Sequence, residues 1–327
     1  MAHMIDETAG QAAIAYRGNE PWHGLGQYIE ADDDIDTIVR KAGLSHQVVE
    51  SPVMFKPYVQ QADGTWLNDQ THLVPDRKVL YRSDTLKPLA VVSRDYNVVQ
   101  PRAIVEFFDA MVKSGGFSIE TAGALSGGKR VWALSRIGAA VRIVGQDFVR
   151  PFMLAATSYD ATMATTVKFV NERVVCHNTI SAALVEDGKQ IKVYHSQEFD
   201  PVRVRQDMGV ALDAFEEWVI KARRMASREL PDEEAAMLTA DLIGPLTRQE
   251  DVTQASGYKA IMALFKGQAI GSGLTQGGTL WQWLNACTEF IDHGRGRTAD
   301  TRMNSAWFGA GDKFKSQAEA KALALVA

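Results

Sequence analysis

Cationic and aromatic residues recur along this chain at spacings that suit recognition of phosphates and bases. Arg295, Arg297 and Arg302 follow His293 in the glycine-broken run HGRGRTADTR, and guanidinium groups so spaced can fork onto phosphate oxygens. Arg130, Trp132 and Arg136 take alternate positions of RVWALSR, so a β-strand there puts two cations and an indole on one side and Val131, Ala133 and Ser135 on the other. Joined by Lys168 and Arg173 from a later strand, they form a platform on which bases stack while cations hold the backbone. Core packing is the competing role for Trp132, and a solvated surface is the competing role for the arginine run. Lys221, Arg223, Arg224 and Arg228 make a further basic cluster, read as cations that favour the negative end of a helix.

Other constellations invite chemistry and are read structurally. Cys176 stands beside His177, but strand neighbours point to opposite faces, so Cys176 is expected to pack as a small apolar residue while Asn178 caps a helix over residues 180–184. On a helix, Asn285, Glu289, Asp292 and His293 fall within one polar sector that could ligate a metal. The favoured reading is an amphipathic helix whose Asp292 pairs with Arg295 or Arg297, with no metal and no cofactor. The glycine-rich stretches 123–128 and 267–278 match neither GxxxxGK[ST] nor a strand-placed GxGxxG, which removes support for nucleotide hydrolysis. Thr157, Ser158, Tyr159 and Asp160 interrupt an apolar run and read as a groove lining or a turn.

The elements that would position these residues follow from periodicity. Residues 1–45 read as an arm centred on PWHGLG, ending in a short helix near 35–42 whose acidic preface, Asp32, Asp33 and Asp34, suits a helix start. Short β-branched runs between His46 and Arg94 predict strands, with Asp63-Gly64 as a hairpin tip, and Pro101 opens a helix predicted to continue through Lys113. Further strands are predicted at 117–125, 130–137, 148–157 and 162–175. A long helix is predicted over 202–228, followed by shorter ones. The expected fold is α+β: a predominantly antiparallel twisted sheet with packed helices, then an α-helical C-terminal part. The divisions expected are 1–45, 46–200 and 201–327.

Bulk composition narrows the class. The chain has 327 residues, 46% hydrophobic and 23% charged, which fits a folded globular protein rather than disorder. Two cysteines far apart, outside any CxxC pair, argue against a disulfide framework or zinc site and suit a reducing compartment. The first residues lack the pattern of a secretory signal, and no apolar run approaches the ~18 residues of a membrane span, so a cytoplasmic location without membrane contact is expected. Net charge is −5, yet residues 113–205 carry 12 basic and 8 acidic side chains, against 10 and 16 in residues 1–112 and 13 and 16 in 206–327. A positive middle between acidic ends suits phosphate contact or a neighbouring subunit.

Three stretches, PWHGLG at 21–26, VKFVNERVVCHNTISAAL at 167–184 and LNACTEFIDHGRGR at 284–297, resemble the phage and plasmid-like family known as domain of unknown function 932. The resemblance implies a setting in a bacterial host cell rather than an activity. A fold-level analogy to phage single-strand annealing proteins rests on the sheet-plus-helix order and the basic strand section. The leading expectation is a non-enzymatic nucleic-acid-binding accessory of phage or plasmid replication or recombination, homo-oligomeric, with single-stranded DNA as partner. The alternatives are a protein-interaction or assembly factor and a metal-dependent enzyme.

Overall fold

The computed structural model describes residues 5–8, 10–18, 25–64, 66–67, 70–173, 178–181, 190–247, 251–270, 278–295, 305–307 and 309–327. Among the described residues, sixteen strands lie in chain order. The N-terminal ones are β1 (Glu7–Thr8), β2 (Gln11–Ala12), β3 (Ile14–Tyr16) and β4 (Gln27–Tyr28). Next come β5 (Val48–Phe55), β6 (Val59–Gln60), β7 (Trp66–Leu67), β8 (His72–Arg82) and β9 (Pro88–Ser93). The remainder are β10 (Phe117–Leu125), β11 (Arg130–Ile137), β12 (Val141–Val144), β13 (Asp147–Ser158), β14 (Thr165–Arg173), β15 (Asn178–Ser181) and β16 (Gln190–Val193). The helices are α1 (Ile35–Lys41), α2 (Pro101–Glu106), α3 (Asp109–Ser114), α4 (Pro201–Ser227), α5 (Asp232–Ile243), α6 (Ser256–Ala263), α7 (Leu280–Glu289) and α8 (Ala310–Ala324). This is the mixed α+β class, with mostly antiparallel sheets and a helical C-terminal part.

The large sheet runs β15-β14-β13-β11-β10-β3-β4, with β12 and β16 pairing onto β13 and β14. Both of its faces are covered, and the sequence of β13 states why: PFMLAAT is apolar at successive positions, the pattern of a strand buried on two sides. Val131, Ala133, Val149, Met153, Ala155, Val167 and Phe169 face a core they share with Trp218 of α4 and with Trp281, Trp283 and Leu284 of α7. Trp132, Leu134, Phe152, Leu154 and Val170 point the other way into a second apolar layer, closed by Ile5, Ile14 and Trp307. Gly123 lies opposite Trp132 in the β10–β11 register. An added Cβ there would lie 2.4 Å from the Ala13 carbonyl oxygen and 2.7 Å from the indole. Only glycine lets the two layers close that tightly.

A separate three-stranded sheet, β5-β8-β9, contributes Val48, Leu80, Leu89 and Val92 to the main core. Consecutive residues Met54 and Phe55 point to opposite faces and both are exposed, so the tip of this hairpin is in solvent on each side.

Two local expectations are corrected. The helix predicted from Pro101 through Lys113 is interrupted between α2 and α3, where Phe107 and Phe108 keep helical dihedrals but the Phe108 amide donates to the Val105 carbonyl three residues back, a tighter turn than the α-helix. Residues 178–181 pair with β14 as β15 instead of starting a helix; Thr179 and Ile180 are β-branched and lie opposite Glu172 and Asn171. Of the groove lining and the turn expected at residues 157–160, the structure holds the turn. Thr157 and Ser158 complete β13, and a turn follows that carries Ala161 at φ 58. At the start of α1, Asp34 accepts a hydrogen bond from the Thr37 amide at 2.8 Å, a cap that satisfies an otherwise orphaned helix donor.

Candidate nucleic-acid interface

The central cations do not gather into one open surface. Trp132 is 1% exposed and meets Trp307 edge-on with ring centroids 6.4 Å apart, so the stacking platform expected on this face is a packed core instead. The physical reason is that Trp132 and Leu134 share their side with Phe152, Leu154 and Val170, too much apolar surface to leave in water. Arg130, at the edge of this layer, donates through Nη2 to Thr162 Oγ1 at 3.0 Å, and burial lowers its pKa. Arg136 pairs with Glu120 at 3.1 Å. Lys168 is buried, donates to Asp312 Oδ1 at 2.7 Å and to the Trp307 carbonyl at 3.1 Å, and has its pKa lowered chiefly by desolvation. Arg173 is opposite Val149 and Asn178 in the sheet. Arg295 is exposed, whereas Arg297, Arg302, Trp22, His23, Cys176 and His177 lie outside the described residues.

The polar sector of α7 faces inward. Glu289 accepts from the Ile270 amide with both carboxylate oxygens at 3.2 Å, and Asn285 donates to the Trp281 carbonyl at 2.8 Å. Asp292 accepts from Lys315 at 2.8 Å, with side chains 8% and 1% exposed, a partner the sequence did not indicate. A cation from α8 reaches it because the chain past Glu289 winds into a π-turn over Phe290–Gly294 that packs against that helix. Lys168–Asp312 and Lys315–Asp292 thus fasten α8 to the sheet and to the end of α7. Among the described residues, no group of three or more His, Cys, Asp or Glu side chains is placed to hold a metal ion. Cys287 is fully buried in the core, which pushes its thiol pKa well above the usual range.

The open cationic site lies elsewhere, at the C-terminal end of α4. Ile220, Arg223, Arg224, Ser227 and Arg228 line a groove of about 620 Å³, and no carboxylate is among these lining residues. Their spacing, i, i+3, i+4, i+7 and i+8, is that of one helical stripe. Arg223 donates through Nε and Nη2 to the Arg142 carbonyl at 3.2 and 2.9 Å, which fixes its plane without neutralising it. Arg224 donates to the Val326 carbonyl at 3.3 Å, and Arg228 pairs with Glu234 at 2.6 Å. A guanidinium has five N–H donors, so Arg223 and Arg224, both exposed, keep donors for an incoming anion, whereas Arg228 holds Glu234 with Nη2 and buries Nη1. Another cleft among the described residues, about 630 Å³, has the opposite character: Asp33, Asp34, Asp36, Glu106 and Asp109 line it beside Arg17, Arg102 and Lys113. The stripe was visible in the sequence, but cations at a helix C-terminus already have a sufficient role in the dipole, and nothing in the spacing shows which face is left open.

An α+β chain with a two-faced antiparallel sheet, a long packed helix and an arginine groove is the class that fold and site define. Residues 88–307 match the family model described as Domain of unknown function (DUF932), and the chain belongs to that family. No curated protein and no solved structure matches the chain. Among the described residues, no helix is long and apolar enough to cross a membrane.

Proposed function

We propose that this protein is a non-enzymatic nucleic-acid-binding accessory of phage or plasmid replication or recombination, and that it grips phosphates in the groove at the end of α4. The observation that carries this reading is the alignment of Arg223, Arg224 and Arg228 on one open helix face, where Arg223 and Arg224 are held by backbone carbonyls and Arg228 is paired with Glu234. Ile220, 52% exposed in the same stripe, adds an apolar surface next to the guanidinium groups, without an aromatic ring for base stacking. The test is binding of labelled single- and double-stranded DNA across a salt series. Three phosphate contacts to a single strand give a slope of about −2 in log K against log salt, or roughly a 20-fold loss between about 50 and 200 mM. Binding that ignores salt contradicts the reading.

One observation favours a second reading, a protein-interaction or assembly factor. Met54, Phe55, Tyr58 and Leu73 are each more than half exposed on or beside the β5–β8 hairpin. An apolar tip of this kind suits contact with another protein surface, including a second copy of the chain. A salt-independent association would select it.

A further inference from the structure

The large sheet has an open edge inside the acidic cleft. Beside β10, β3 pairs with Thr121, Ala122 and Gly123, and among the described residues no strand continues past it along Phe117, Ser118 and Ile119. The direction of the free backbone groups follows from the neighbour on the other side. The Gly138 amide donates to the Gly116 carbonyl at 2.6 Å, one step outside the Phe117–Ile137 pair, so that pair is of the non-hydrogen-bonded kind. The N–H and C=O of Phe117 therefore point away from β11, and so do those of Ile119 two residues on. In keeping with this, the Ile119 carbonyl accepts from Nε of Arg17, the residue after β3, at 3.2 Å. The Phe117 N–H and C=O and the Ile119 N–H are left facing the cleft of about 630 Å³ that these residues help to line.

The other walls of the cleft come from α1, α2 and α3. Ile35 and Val112 give it apolar surface, and Arg102 is shared between Asp36, 66% exposed, and Glu106, 45% exposed. One cation thus serves two open carboxylates, and Asp34, also exposed, accepts from the Thr37 amide at the start of α1. We propose that this edge takes an extended, lysine- or arginine-bearing segment of a partner protein by strand addition. Backbone hydrogen bonds to Phe117 and Ile119 hold the segment, and its cations lie against Asp34, Asp36 and Glu106. The same carboxylates repel phosphates, so the partner differs in class from that of the α4 groove.

The probe is the peptide Lys-Val-Lys-Val-Lys-Val, with Glu-Val-Glu-Val-Glu-Val as its charge control. Fluorescence anisotropy of the labelled peptide reads binding to the intact chain, and amide hydrogen exchange with the unlabelled peptide reads its place. The lysine peptide is expected to bind and to slow exchange at Phe117 and Ile119, with β13 unchanged. Methylating every peptide nitrogen keeps the charge but removes the N–H donors, and should weaken binding by roughly tenfold. Asp36→Asn/Glu106→Gln, at two exposed positions, should weaken it by about two- to tenfold. Failure of the lysine peptide to bind, equal binding by its methylated form or by the glutamate peptide, or protection elsewhere than this edge overturns the proposal. So does protection of Phe117 and Ile119 by single-stranded DNA, which assigns the edge to nucleic acid, or protection that grows with protein concentration alone, which assigns it to a second copy of the chain.

Discussion

Replacing Arg82 by methionine removes one charge and leaves two carboxylates facing a buried gap. Asp6 is 9% exposed and loses a partner it cannot replace with water, while Asp84, about a third exposed, can rehydrate. Breaking a buried pair costs about 3–5 kcal/mol, and the exposure of Asp84 places this case at the lower end, about 3. With an unfolding entropy of roughly 2.1 cal/mol/K per residue over 327 residues, that lowers Tm by about 4 °C. Differential scanning fluorimetry and urea unfolding of Arg82→Met read the loss. The double variant Arg82→Met with Asp6→Leu, which buries no unpaired charge at the first site, should recover at least half of it. The pH dependence has a defined sign. The Asp84 pKa is lowered from 3.8 to about 2, so its contribution is full above pH 3.8 and disappears as pH falls toward 2. After allowance for its exposure, this amounts to about 1–2 kcal/mol. The gap between wild type and Arg82→Met should therefore narrow below about pH 4. A single variant within about 1 °C of wild type, or a double variant worse than the single one, refutes the reasoning.

Further expectations follow from the packing. Lys315→Met removes a buried cationic partner of Asp292 and should cost about 3–5 kcal/mol in urea unfolding, with Lys315→Met/Asp292→Leu recovering much of it. Gly123→Ala forces a methyl group against the Ala13 carbonyl and the Trp132 ring and should destabilise by about 1–3 kcal/mol, seen as a lower denaturation midpoint with an unchanged slope. Trp218→Phe removes the indole N–H that donates to buried Glu319 at 2.5 Å, leaving that carboxylate short of a donor; a loss of about 2–3 kcal/mol is expected by the same assay.

Much of the fold was legible because local signals and tertiary context agree. The Pro101 start of α2, the Asp34 cap of α1 and the strands β10, β11 and β13 each follow from residues within a few positions. What stayed hidden depended on partners distant in sequence. RVWALSR alternates as the segment of an exposed sheet would, and only Ile5, Ile14 and Trp307, contributed from both ends of the chain, make its aromatic side a core. Asp292 is also held by Lys315, 23 positions further on in α8. The groove arginines show the converse: their helical spacing was plain, but whether a stripe is open or covered is decided by what packs beside it.

The measurement closest to the central claim is the salt dependence of single-stranded DNA binding by wild type and by Arg223→Ala/Arg224→Ala. If the groove at the end of α4 holds phosphates, the double variant should bind more weakly and its log–log slope should shrink by about 1.4, two contacts' worth. An unchanged slope and affinity, with the variant folded, would contradict the account.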